Sequence, residues 1–165
     1  MKNGRLDNKG YSILEVIIVV AIFALLTGVG FMGYNVLNTR QIDECAKKLK
    51  VGLETNRVTT MGKLSASVSV YEDSKGYLVL EENINGDVNT KRVGDSSLEF
   101  EYEYLDGTRY DVPDYDNKIT LSFDRNSGSL KPQPGGDYIV KFIIRMNNTE
   151  MQVCIERLTG RVSVN

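Results

Sequence analysis

An α+β fold is predicted for this chain: a long N-terminal α-helix, half of it transmembrane, packed on an antiparallel β-sheet head. Three observations predict it. From Val16 to Thr39 no side chain is charged. From Ile42 to Leu53 apolar residues recur at three- and four-residue steps. After Gly62 the apolar period drops to two.

The elements follow in chain order. Residues 1–10 read as a leader, with Lys2, Arg5 and Lys9 against Asp7. Residues 11–34 carry the uncharged run, close to the about 20 apolar residues that a bilayer core requires. Basic residues precede it and none follows until Arg40, so the leader should face inward and the head outward. The expected location is the cytoplasmic membrane, as a single-pass protein. Residues 35–61 continue the helix in amphipathic form. Ile42, Cys45, Leu49 and Leu53, with Ala46 beside them, make one buried stripe. No proline interrupts residues 11–60, and a single helix of that length would run about 75 Å. Thr59, Thr60 and Gly62 mark its end.

Residues 62–165 read as a β-rich head. Val68 and Val70, then Tyr77 and Val79, alternate around the turn-rich 72–76. In 98–104, Leu98, Phe100, Tyr102 and Tyr104 face one way and Glu99, Glu101 and Glu103 the other. Further strands are expected over 118–124, 138–146, 151–158 and 161–164, separated by Asn, Ser and Gly turns. The helix stripe would cover the apolar face of this sheet.

Composition excludes much. The 165 residues carry a net charge of −2, so the chain beyond its basic leader is mildly acidic. That disfavours direct binding to nucleic acid phosphates. There is no histidine, which removes triads and the usual zinc sets. No phosphate-cradling loop occurs, and no enzyme activity and no cofactor are expected. Cys45 and Cys154 lie far apart. They could bridge helix to sheet, or remain two small buried hydrophobes. Asp111, Asp114 and Asp116 in the acidic loop 105–117 are weak calcium candidates; a solvated, turn-forming loop is the plainer reading.

Glu15 is the anomaly. A lone carboxylate at the mouth of an apolar run is costly without a partner. A cleaved signal peptide would have a shorter core and a small-residue site after it, and a plain signal anchor leaves Glu15 unexplained. Cleavage before the run, between Gly10 and Tyr11, would keep the helix in the mature chain. Lys9-Gly10, the aromatic Tyr11, Glu15 and the aliphatic run that follows resemble the class III signal of type IV pilins and pseudopilins. Tyr11 stands where phenylalanine is usual, and Gly28, Gly30 and Gly33 cluster where many members carry a proline.

The resemblance implies a pilin-like subunit, processed by prepilin peptidase after Gly10 and N-methylated on Tyr11. Glu15 would neutralise the amino terminus of a neighbouring subunit during assembly. Implied partners are the peptidase, other pilin or pseudopilin subunits, an inner-membrane assembly platform and membrane lipid. The product would be a type IV pilus or a pseudopilus of a secretion or competence system, hence an extracellular or periplasmic filament. A helix followed by a mainly β head without a long disulfide loop resembles the minor pseudopilins. The alternative is a signal-anchored extracytoplasmic binding or sensor domain that forms no filament.

Overall fold

Helix α1 spans Ile13–Met61. The computed structural model describes residues 12–62 and 64–165, with the backbone alone over 28–38. The chain divides into two compact units after Leu37.

In the first unit, Ser12 opens α1 with a capping box. Its Oγ accepts from the Leu14 backbone N–H at 3.3 Å, and its own N–H donates to Glu15 Oε2 at 3.4 Å. Two orphan donors at the helix start are thereby satisfied. Farther along, Thr27 Oγ1 donates back to the Phe23 and Ala24 carbonyls, at 2.8 and 3.0 Å. The apolar side chains between these points face solvent. Ile13, Phe23 and Leu25 are 81%, 64% and 71% exposed.

The expected single-pass anchor is overturned. Among the described residues no helix is long and apolar enough to cross a membrane.

In the second unit the helix stripe packs as its spacing predicts. Ile42, Cys45, Ala46, Leu49 and Leu53 are all at most 1% exposed. Two open antiparallel sheets meet them, where one had been expected. The first has the order β3-β2-β1-β6, built from β1 (Ala66–Glu72), β2 (Leu78–Ile84), β3 (Asp87–Arg92) and β6 (Ile119–Leu121). The second has the order β5-β4-β7-β8-β9. It comprises β4 (Glu99–Tyr104), β5 (Arg109–Asp111), β7 (Ile139–Met146), β8 (Thr149–Ile155) and β9 (Val162–Val164). One core holds the stripe together with Val68, Leu80, Phe123, Phe142, Ile144 and Val153. The head is thus an α+β arrangement of a helix against open antiparallel sheets.

Two contacts fix the helix on the sheets. A Cβ on Gly52 would lie 2.7 Å from Leu80 Cδ1, so the helix packs against the Leu80 side chain of β2 at close range here. Near its end, Arg57 Nε donates to the Thr159 carbonyl at 2.7 Å and the Gly128 carbonyl at 3.2 Å. Both belong to turns. Gly160, with φ +63°, brings its turn so close that a Cβ would sit 2.0 Å from Gly128 O.

Candidate functional site

The first turn of α1 and the apolar surface after it form the candidate site. Gly10 and Tyr11 lie outside the described residues. Glu15 lies in that first turn, where a negative charge also suits the helix dipole. The capping role of Glu15 was missed at the sequence level, although Ser12-Ile13-Leu14-Glu15 carries the S-x-x-E signal. Glu15 therefore has a local structural partner in the isolated chain. Beyond it, Val16, Ile17, Ile18, Val19 and Val20 are each between 48% and 61% exposed. A helix apolar on all sides is normally buried. Exposed apolar area of this extent marks an interaction surface.

The comparison with known families decides how this segment is read. Residues 5–31 match the prokaryotic N-terminal methylation motif. This is the class III signal typical of type IV pilin-like proteins. Nothing among curated proteins or solved structures matches the chain. The motif covers Gly10, Tyr11 and Glu15 together.

Among the described residues no group of three or more acidic or cysteine side chains could hold a metal ion. The three calcium candidates lie at different points of the loop. Asp111 ends β5. Asp114 caps a 3₁₀ turn at Tyr115–Asn117, accepting from the Asn117 side chain at 3.1 Å. Asp116 lies within that turn.

The helix-to-sheet disulfide is also absent, and both thiols are free. Cys45 is buried in the stripe, and burial pushes its thiol pKa up to about 12. On β8, Val153 and Ile155 point into the core, so Cys154 between them points away from it. Its Sγ accepts from Asn165 Nδ2 at 3.7 Å.

The outer face of the second sheet carries an ion-pair ladder. Glu103 accepts from Arg109 Nε and Lys141 Nζ, both at 2.6 Å. Its cationic partners, Lys141 above all, hold its carboxyl below the usual glutamate range. Arg145 pairs with Glu101 and, at 2.8 Å, with Glu150. These side chains cover Ile143, which is 1% exposed on the same face. On the other face Tyr102, Tyr104 and Tyr110 cluster with centroids 5.5 to 5.9 Å apart. Burial and neighbouring tyrosines push the Tyr102 hydroxyl to about 12.

A groove of about 490 Å³ runs between the helix and the β2–β3 hairpin. Val51, Gly52, Leu80 and Val93 line it, and Lys47, Lys48 and Lys91 stand at its margin.

Proposed function

We propose that this chain is a pilin-like structural subunit, cleaved by a prepilin peptidase after Gly10 and assembled through α1 into a type IV pilus or pseudopilus. One observation carries the reading. The methylation motif at 5–31 runs directly into a helix whose apolar side chains are exposed. Such a surface is stable only when covered, and helices of further subunits are the covering that the motif supports. Burying each exposed Ile, Leu or Phe contributes about 1.5–3 kcal/mol.

The chemistry at the helix start follows. Cleavage after Gly10 creates an ammonium on Tyr11, four residues from Glu15. When helices stack, that ammonium and the Glu15 carboxylate of a neighbour neutralise each other in a dry setting, where neither is tolerated alone. Glu15 would exchange its weak 3.4 Å cap contact for a charge-assisted pair. The peptidase, other subunits and an assembly platform are the partners of this reading.

The test is mass spectrometry of the chain expressed with and without a prepilin peptidase. A mature chain starting at N-methylated Tyr11 is expected. A chain still starting at Met1 in the presence of the peptidase, or one beginning after the apolar run, refutes processing at Gly10. A second measurement reads assembly. Glu15→Val should be processed normally yet fail to enter filaments. Normal incorporation of that variant removes Glu15 from the mechanism.

A further inference from the structure

We propose that the free edge of β3 pairs with the same edge of a second copy, antiparallel and across a two-fold axis. β3 ends its sheet, and all six of its residues, Asp87–Arg92, are exposed. An unpaired edge of this kind is a ready template for another strand. Native edges are usually blunted by charge, and Lys91 at first looks like such a device. The distribution of charge along β3 reverses that reading.

The backbone decides which residues can pair. Val93 N–H donates to the Leu78 carbonyl at 2.9 Å, and Ile84 faces Asp87 across the two-residue turn at Asn85–Gly86. Antiparallel ladders alternate. The backbone groups of Asp87, Asn89 and Lys91 are therefore directed to β2. Those of Val88, Thr90 and Arg92 point to the open side. A two-fold axis normal to the sheet keeps each face continuous, so it must pass through a like pair. Centred on Asn89, it sets Val88 opposite the Thr90 of the second copy, and the two exchange hydrogen bonds. It also sets Asp87 opposite the second copy's Lys91, twice by symmetry. Centred on Thr90, it makes no opposite-charge pair. The strand is thus charge-complementary to itself in one register only.

The surroundings favour the same register. Lys91 faces the helix side, since its cross-strand partner Leu80 is 1% exposed on that side. An incoming Asp87 would therefore enter beside the groove margin, near Lys91, Lys47 and Lys48. Asp87 makes no ion pair among the described residues, whereas Lys91 already holds Glu82 at 2.8 Å. The hairpin tip of the second copy would then continue along Arg92 and Val93, where a second concavity opens. A six-residue edge is small beside a standard interface, so the pairing operates where subunits are concentrated. It uses the head alone, and its failure leaves the helix-mediated reading untouched.

Disulfide trapping tests it on the full chain carrying Cys154→Ser. Asn89→Cys places two thiols at the axis in a non-hydrogen-bonded pair, where Cβ atoms are about 4.5 Å apart, suitable for a bridge. Mild oxidation should give covalent dimer from Asn89→Cys well above Val88→Cys or Thr90→Cys. Adding Asp87→Lys turns two attractive pairs repulsive and should lower trapping about tenfold. Salt should act with opposite signs, weakening Asn89→Cys pairing and restoring it in the Asp87→Lys background. Equal trapping at 88, 89 and 90, preferential trapping at 90, or no effect of Asp87→Lys overturns the proposal.

Discussion

Replacing Gly160 with alanine should cost the head far more than one added methyl group suggests. Gly160 sits at φ +63°. A residue with a Cβ in that left-handed region costs about 1–2 kcal/mol. The Cβ would also lie 2.0 Å from the Gly128 carbonyl oxygen and 3.0 Å from Arg57 Cδ. Backbone cannot yield as a flexible side-chain end does, so one turn must move. Moving it breaks the paired acceptance of Arg57 by Thr159 and Gly128. Hydrogen bonds to a charged group contribute about 1.5–3 kcal/mol. The expected loss is therefore about 2.5–5 kcal/mol. Gly86 supplies the control: its φ is +97°, and nothing lies within 4 Å of its added Cβ. Gly86→Ala should show the backbone penalty alone. Urea unfolding of the full-length variants, followed by near-ultraviolet tyrosine circular dichroism, measures both. Gly160→Ala should also cost less in an Arg57→Ala background, because the contact it disrupts is already gone. Equal losses for Gly160→Ala and Gly86→Ala, or no coupling to Arg57, would refute the reasoning.

Two further outcomes are expected. Glu103→Gln should destabilise the head by about 1–2 kcal/mol at neutral pH, since Lys141 and Arg109 lose a charged acceptor. The folded-state pKa of Glu103 is depressed, so its contribution is full above the unfolded value of about 4.3. That contribution is lost as pH falls below this value and through the lower folded pKa. The gap between wild type and Glu103→Gln should close in acid urea titrations, and a gap that widens there counts against the ladder. Under native conditions iodoacetamide should label Cys154 and spare Cys45, which is buried with its thiol pKa near 12. Non-reducing peptide mapping should find no bridge between them; a linked peptide would contradict the free-thiol geometry.

Much of the helix was legible because one physical demand shapes it. A helix lying on a sheet must put apolar residues on one side, and Ile42, Cys45, Leu49 and Leu53 obey at every step. β4 was legible for a similar reason, with its glutamates on the outward face, where Glu101 and Glu103 enter ion pairs. β3 was not, because Asp-Val-Asn-Thr-Lys-Arg alternates nothing when both faces are exposed. The Asn85–Gly86 turn could have revealed it, since that dipeptide favours a two-residue hairpin. β5 was hidden for its shortness, inside a stretch that composition marks as an acidic loop. The choice between a bridge and two free thiols was not legible, because only the strand register, with Val153 and Ile155 inward, shows that Cys154 points away. At the candidate site the motif was legible residue by residue. The Ser12 amide as a partner of Glu15 was carried only by the short S-x-x-E pattern.

The seating of residues 42–57 has a mechanical consequence. The apolar stripe runs parallel to the helix, and Arg57 ties its far end to two turns. A pull along the helix axis would load Ile42, Cys45, Leu49, Leu53 and the Arg57 tether together, in shear. A sideways pull would peel them one after another. Forced unfolding is limited by the rate at which contacts give way, so contacts loaded together resist far longer than contacts loaded in turn. The head is therefore built to hold against axial tension and to yield to leverage across the helix.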